Sequence, residues 1–178
     1  LSLRKNILMS FELAEVEQDP VKRKAYTTFA IIGGGPTGVE LAGAIAELAR
    51  FTLSEDFRNI DPSDTRVILI EAGSRVLSTF DQGLSKKAKR ALEKLGVSVW
   101  LESKVSNICK GKVELGSDVI NANTIIWAAG VVSTDLAKDL EADVGVNLKR
   151  GNRLLVNEFL QVKGCEDIYA IGDISYFE

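Results

Sequence analysis

Histidine is absent from this 178-residue chain. Imidazole metal sites, Ser-His-Asp triads and imidazole acid–base catalysis are therefore excluded within it. Cysteine is scarce: Cys109 and Cys165 stand 56 positions apart, with no C-x-x-C pair. That spacing fits neither a thioredoxin-like couple nor a zinc cluster, so two reduced thiols and no metal site are expected. No apolar run approaches the ~18 residues of a membrane span, and no segment reads as a secretory leader. Positive charge is not in excess, with 22 basic against 25 acidic side chains and a net charge of −3. Nucleic acid is thus not expected as a partner, because phosphate neutralisation requires a basic face. The remainder, 46% hydrophobic and 26% charged, is the composition of a packed globular chain rather than a disordered one. The first residue is Leu1 rather than Met, and a domain excised from a longer protein is expected.

Hydrophobic periodicity orders the chain. Leu3, Ile7, Phe11 and Ala14 recur at helical spacing, and Asp19-Pro20 reads as a stop. Residues 26–32 are β-branched and aromatic and run into glycines, which marks a strand buried on both faces. Residues 39–49 favour a helix, and residues 66–70 form a second buried strand. Residues 84–95 give an amphipathic helix with Lys86, Lys87, Lys89 and Arg90 on its wet side, ended by Gly96. Residues 97–101 are a third strand. Short alternating pieces at 105–108, 112–115 and 118–120 suggest an antiparallel excursion, after which residues 124–128 return to a buried strand. This order describes an α/β chain, a doubly wound Rossmann-like dinucleotide-binding domain with a central parallel sheet and a small antiparallel β excursion. Residues 153–156 and 167–170 are expected to open a second unit.

The chemistry is concentrated in Gly33-Gly34-Gly35-Pro36-Thr37-Gly38, which fits G-x-G-x-x-G between a strand and a helix. Gly33 permits the tight turn, Gly35 lets the backbone approach a pyrophosphate, and Gly38 lets the helix lie close to the sheet. Pro36 suits the first helical position. Free amides there, with the helix dipole, favour a diphosphate. Glu71 ends the second strand, where a carboxylate accepts from ribose hydroxyls and repels a 2′-phosphate, favouring NAD(H) over NADP(H). It lies 33 positions beyond Gly38 rather than the roughly 20 of the motif, so residues 51–64 read as an insertion. Arg75 is expected to be a solvated loop arginine.

The glycine segment GGGPTGVE at residues 33–40 and YAIGDIS at 169–175 make the chain resemble the flavoproteins with two dinucleotide-binding domains. These belong to the FAD-dependent pyridine nucleotide-disulphide oxidoreductase superfamily, and the resemblance is closest to the type II NADH dehydrogenases, single-chain NADH:quinone oxidoreductases. It implies a helical lead-in at residues 1–25, an NAD(H)-binding domain at 26–133, and a return segment with part of a FAD motif at 134–178. It further implies that Glu40 lies near the nicotinamide and the flavin ring, that Ala129 and Gly130 bring backbone close to the nicotinamide, and that Asp173 binds FAD. The rival reading of Glu40 is a carboxylate in the first turn of a helix, held by the dipole.

The activity implied is that of an FAD-dependent oxidoreductase passing hydride from NADH to FAD and on to a quinone, with the fragment alone inactive. NADH and a quinone or other acceptor are the implied partners, and a homodimer is allowed. A cytoplasmic location is implied, peripheral on the membrane face in the intact protein, through regions outside this chain. Two alternatives stay open. One is a reductase of the same superfamily acting on a ferredoxin, a sulfide or a disulfide. The other is a non-redox NAD-binding sensor, which has no reason to carry residues 169–173.

Overall fold

The structure, a computed structural model, describes residues 2–53, 56–130 and 132–178. They divide into two compact units, the first ending at Ala129 and the second comprising Gly130–Glu178.

The first unit is built on four parallel strands. β1 (Thr28–Ile32) lies between β2 (Arg66–Ile70) and the last strand of the unit, β7 (Thr124–Trp127), while β3 (Ser98–Trp100) flanks β2. Every residue of β1 is buried. Such a strand has no wet face, so its sequence reads as an unbroken apolar run. The two faces are nonetheless distinct, because side chains alternate along a strand. Phe29, Ile31, Val67 and Leu69 pack with the helices, and Ala30, Ile32, Ile68 and Ile70 pack with an antiparallel sheet on the other side. That sheet consists of β4 (Asn107–Cys109), β5 (Lys112–Leu115) and β6 (Asp118–Asn121), and it supplies Val113 and Ile120. The expected parallel core and antiparallel excursion are both present.

Helix α3 (Pro36–Glu47) connects β1 to β2, and α4 (Gln82–Lys94) connects β2 to β3. α4 is closed at both ends by local chemistry. Asp81 accepts from the Gly83 amide at 2.7 Å. At the other end Gly96 adopts φ +81°, and the amides of Gly96 and Val97 bond the carbonyls of Glu93 and Leu92. This double closure is a Schellman motif, with Val97 packed near Leu92. The opening helix α1 (Ser2–Val16) buries Ile7, Phe11 and Ala14, and its Ser10 hydroxyl bonds that of Thr124 at 2.9 Å.

Asp19-Pro20 ends α1 as expected but also begins a helix. The Asp19 carboxylate accepts from the Val21 amide, Pro20 takes the first position, and α2 (Pro20–Tyr26) follows. Tyr26 is therefore helical and β1 starts at Thr28. The insertion also begins later than residue 51. α3 widens into a π-turn at Leu48–Thr52, and Leu53 is buried in the core. Phe57 and Ile60 pack against the same core.

In the second unit, α5 (Asp135–Val144) packs with a small sheet of order β10-β9-β8, formed by β8 (Leu148–Lys149), β9 (Arg153–Leu155) and β10 (Ser175–Tyr176). Residues 167–170 form no regular strand; Tyr169 makes a single bridge to Gln161. Cys109 and Cys165 are free thiols, and no group of potential metal ligands occurs among the described residues. No described helix is long and apolar enough to cross a membrane.

One carboxylate ties the insertion down. Glu15 accepts from the amides of Arg58, Asn59 and Ile60 at 3.0–3.2 Å. Partial desolvation pushes its carboxyl up, but these amides and the nearby Arg23 guanidinium outweigh that and hold it below its ordinary value. A carboxyl depressed by folding stabilises the protein above its unfolded pKa and loses that contribution as the pH falls through the folded value. Glu15→Gln is thus expected to lower Tm at neutral pH, with the gap to wild type closing below pH 4.5, the ordinary value of the group. Thermal melts across this range check it; a gap that persists unchanged into acid would remove Glu15 from this role.

Candidate functional site

Strands β1, β2 and β7 are parallel, so the loops after them share one edge of the sheet. The glycine loop leaves β1, Glu71 ends β2, and Ala128 and Ala129 leave β7. This is the edge at which open α/β sheets hold ligands, beside the point where the strand order reverses.

Each glycine there meets a different constraint. Gly33 has φ +115°, and a Cβ on it would lie 2.7–2.8 Å from the Ala128 and Ala129 backbone. Its amide donates to the Ile70 carbonyl at 2.8 Å. Gly38 is buried at the start of α3, and a Cβ there would strike the Gly33 carbonyl. Gly34 lies against the Glu71 side chain. Gly35 alone faces open space, since a Cβ on it would meet nothing within 4 Å. Thus the loop is tight at three glycines and open at the one expected to approach a pyrophosphate.

α3 begins without a side-chain cap. Gly35 is its N-cap, Pro36 fills the first turn, and Thr37 is exposed. Among the described residues the amides of Gly35, Thr37 and Gly38 have no acceptor in the chain. Most helices satisfy such groups with Ser, Thr, Asp or Asn. Here they are left available, at the positive end of the helix dipole, which suits a diphosphate.

Glu71 is half-buried and brought onto the loop. Its Oε2 accepts from the Gly34 amide at 2.6 Å and its Oε1 from the Gly73 amide at 2.7 Å. Its backbone is pinned to β3, the Glu71 amide donating to Trp100 and its carbonyl accepting from Ser103. The Leu77 amide adds a further tie, donating to the Gly34 carbonyl at 2.7 Å. Gly73 and Leu77 were not legible as contributors, because a backbone donor leaves no mark in side-chain chemistry; only the position of Gly73 two residues after Glu71 hints at a turn. Arg75 is only half-exposed, donates to the Ser78 carbonyl at 2.7 Å, and borders a hollow also lined by Lys86 and Lys89.

The remaining candidates belong to the body of α3 and to the second unit. Glu40 is exposed and lies in the second turn of α3, past the reach of an N-terminal cap; no acidic residue occupies the first turn. That corrects the first-turn dipole reading of this residue. Its carboxylate makes no hydrogen bond or ion pair among the described residues. Gly130, with φ +73°, and Asp173 belong to the second unit. Asp173 is exposed in a 3₁₀ turn, Gly172–Ile174, whose Gly172 carbonyl accepts from the Ser175 hydroxyl at 2.8 Å.

A parallel sheet of this order, with a glycine loop, an uncapped helix start and an acidic end to β2 on one edge, defines a Rossmann-like α/β fold of the dinucleotide-binding class. The family model of the pyridine nucleotide-disulphide oxidoreductases matches residues 4–177, and the chain belongs to that family. It is 40% identical over 99% of its length to type II NADH:quinone oxidoreductase NdhA of Mycobacterium tuberculosis, of which it covers 39%. It is 34% identical over 96% of its length to the mitochondrial external alternative NAD(P)H-ubiquinone oxidoreductase B2 of Arabidopsis thaliana, covering 30% of that protein. Among solved structures, NDH2 from Plasmodium falciparum in complex with NADH superimposes with a TM-score of 0.83 at 26% identity, over 99% of this chain and 37% of that one. The chain thus spans between 30% and 39% of the length of these relatives.

The open and tight glycines should respond differently to an added methyl. Gly38→Ala is expected to destabilise the fold by about 3 kcal/mol, the upper range of overpacking, because backbone stands where the methyl must go. Gly35→Ala is expected to cost less than ~1 kcal/mol while weakening dinucleotide binding, since that methyl enters the ligand's space. Denaturant melts and a dinucleotide titration check the pair. Equal stability losses in the two variants would contradict the assignment.

Proposed function

We propose that the chain is the NADH-binding part of a flavin-dependent NADH dehydrogenase. The observation that carries this is the uncapped start of α3 opening over Gly35, with the Glu71 carboxylate beside it. The residues present fit a dinucleotide. The amides of Gly35, Thr37 and Gly38 would receive the diphosphate, with Pro36 fixing the helix start and Gly33 and Gly38 keeping strand, loop and helix close. Glu71 would accept from the adenosine ribose through lone pairs that Gly34 and Gly73 leave free. Ala129 would bring backbone toward the nicotinamide half, with Gly130 following it. Glu40 would stand near the nicotinamide, close to where flavin and nicotinamide meet.

In this reading residues 1–25 lead in from a flavin domain, 26–133 hold the dinucleotide, and 134–178 return toward the flavin, with Asp173 as a ligand for FAD. The exposed Asp173 carboxylate, without a chain partner among the described residues, suits that task. Bound FAD supplies the hydride acceptor in the intact protein; the residues of this chain hold and orient the donor. Hydride transfer needs no histidine. Quinone is the proposed final acceptor, on the strength of the relatives' names. The intact protein is proposed to work at the cytoplasmic face of a membrane, through regions beyond this chain.

The chain is expected to bind NADH in preference to NADPH, and to purify without FAD, because only part of a flavin site is present. Titration of NADH fluorescence and a flavin absorbance spectrum of the purified chain test this. Failure to bind NADH, or near-stoichiometric flavin, would overturn the reading.

A further inference from the structure

The Glu71 carboxylate has both oxygens engaged by backbone before any ligand arrives. The Gly34 amide is 2.6 Å from Oε2 and the Gly73 amide 2.7 Å from Oε1. Both are short for an amide donor, the Gly73 distance at the near end of the charge-assisted range and the Gly34 distance just below it. Gly34 is itself buried and stands between the two working ends of the loop. On one side Gly33 is pinned to Ile70 and pressed on the Ala128 and Ala129 backbone; on the other Gly35 starts α3 and faces open space. The whole Glu71 side chain underlies Gly34, since a Cβ on that glycine would meet Glu71 Cβ and Cγ at 3.0 Å. The Gly34 carbonyl is tied to the same segment through Leu77.

We propose that Glu71 is a positioning residue for the diphosphate site, holding the glycine loop in its binding shape through the Gly34 and Gly73 amides, in addition to meeting the adenosine ribose. The proposal rests on the dinucleotide reading above and deepens it. Without the carboxylate, the buried Gly34 N–H loses its acceptor and the loop must turn to recover one. That turn would swing the neighbouring Gly35 amide and carbonyl, which begin α3. A carboxylate is the one side-chain end that accepts at both oxygens. Glutamine offers one acceptor and an NH₂ that would oppose the other N–H. Aspartate keeps the charge but falls one methylene short of the loop. It follows that a coenzyme-specificity change made at Glu71 reaches the diphosphate too, so NADH binding falls without an equal gain for NADPH.

The test uses two probes on the chain, NADH and a reduced dinucleotide whose adenosine ribose lacks the 2′- and 3′-hydroxyls. The second probe cannot report a bond from Glu71 to the ribose. Glu71→Gln is expected to weaken binding of both, the dideoxy probe by about three- to tenfold. Amide hydrogen exchange at Gly34 and Gly73 in the free protein is expected to quicken in the same variant. Glu71→Asp is expected to act in the same direction on both readouts, and it carries the comparison should Glu71→Gln not fold. If these variants weaken NADH but bind the dideoxy probe like wild type, with exchange at Gly34 and Gly73 unchanged, the positioning role is overturned and the dinucleotide reading stands. If wild type binds neither probe, both fall.

Discussion

A contact between two stretches of backbone governs this site: Gly38, in the first turn of α3, is seated on the Gly33 carbonyl. No side chain fits between them, so the helix must begin directly after the strand and close above the sheet edge. The direction of α3 then follows, and with it the place where its unbonded amides point. Everything else at the site is arranged around that start. Gly33 can turn so sharply only because it also lacks a Cβ against the Ala128 and Ala129 backbone. The N-cap of this helix is Gly35, a residue with no side chain to cap it, and no side-chain cap is present. The uncapped amides are the consequence, and an anion is what they can hold.

The acidic end of β2 completes the arrangement from a distance of 37 residues in sequence from Gly34. It does so because β1 and β2 are paired in parallel and in register, Ile32 opposite Ile70, which sets the two loops side by side. Burial of both faces of β1 and β2, by helices on one side and an antiparallel sheet on the other, keeps that register. A shift by one residue would exchange the two apolar sets between unlike layers. The core and the site are therefore one construction.

Much of this was legible in the amino-acid order. The unbroken apolar runs of β1 and β2 could be read because no polar face interrupts them, and the glycine loop because its spacing between strand and helix answers steric demands, at Gly33 and Gly38 above all, that other residues fail. Glu71 could be found from its place at a strand end. The misses have equally local causes. Asp19-Pro20 reads as a stop, but an Asp followed by Pro is also the chemistry of a helix start, which hides α2 in the sequence and leaves β1 to begin at Thr28 rather than Tyr26. α5 carries Thr134 before it and Gly145, with φ +71°, after it, but its short span does not stand out by pattern within a return segment. The insertion reads as polar from residue 51, whereas Leu53, Phe57 and Ile60 join the core. What no sequence pattern conveys is the second use of Glu71: its partners Gly34 and Gly73 act through backbone amides, and these look alike at every position.

The central claim is that a dinucleotide lies along the sheet edge bounded by the glycine loop, the residues after β2 and the residues after β7. Chemical-shift mapping of the ¹⁵N-labelled chain during NADH titration tests it most directly. The account predicts the largest amide changes at Gly34, Gly35, Thr37 and Gly38, with further changes at Ala72, Gly73 and Ala129. Changes centred instead on the apolar groove lined by Leu3, Ile7, Leu41 and Leu48, or absent from the glycine loop at saturating NADH, would contradict it.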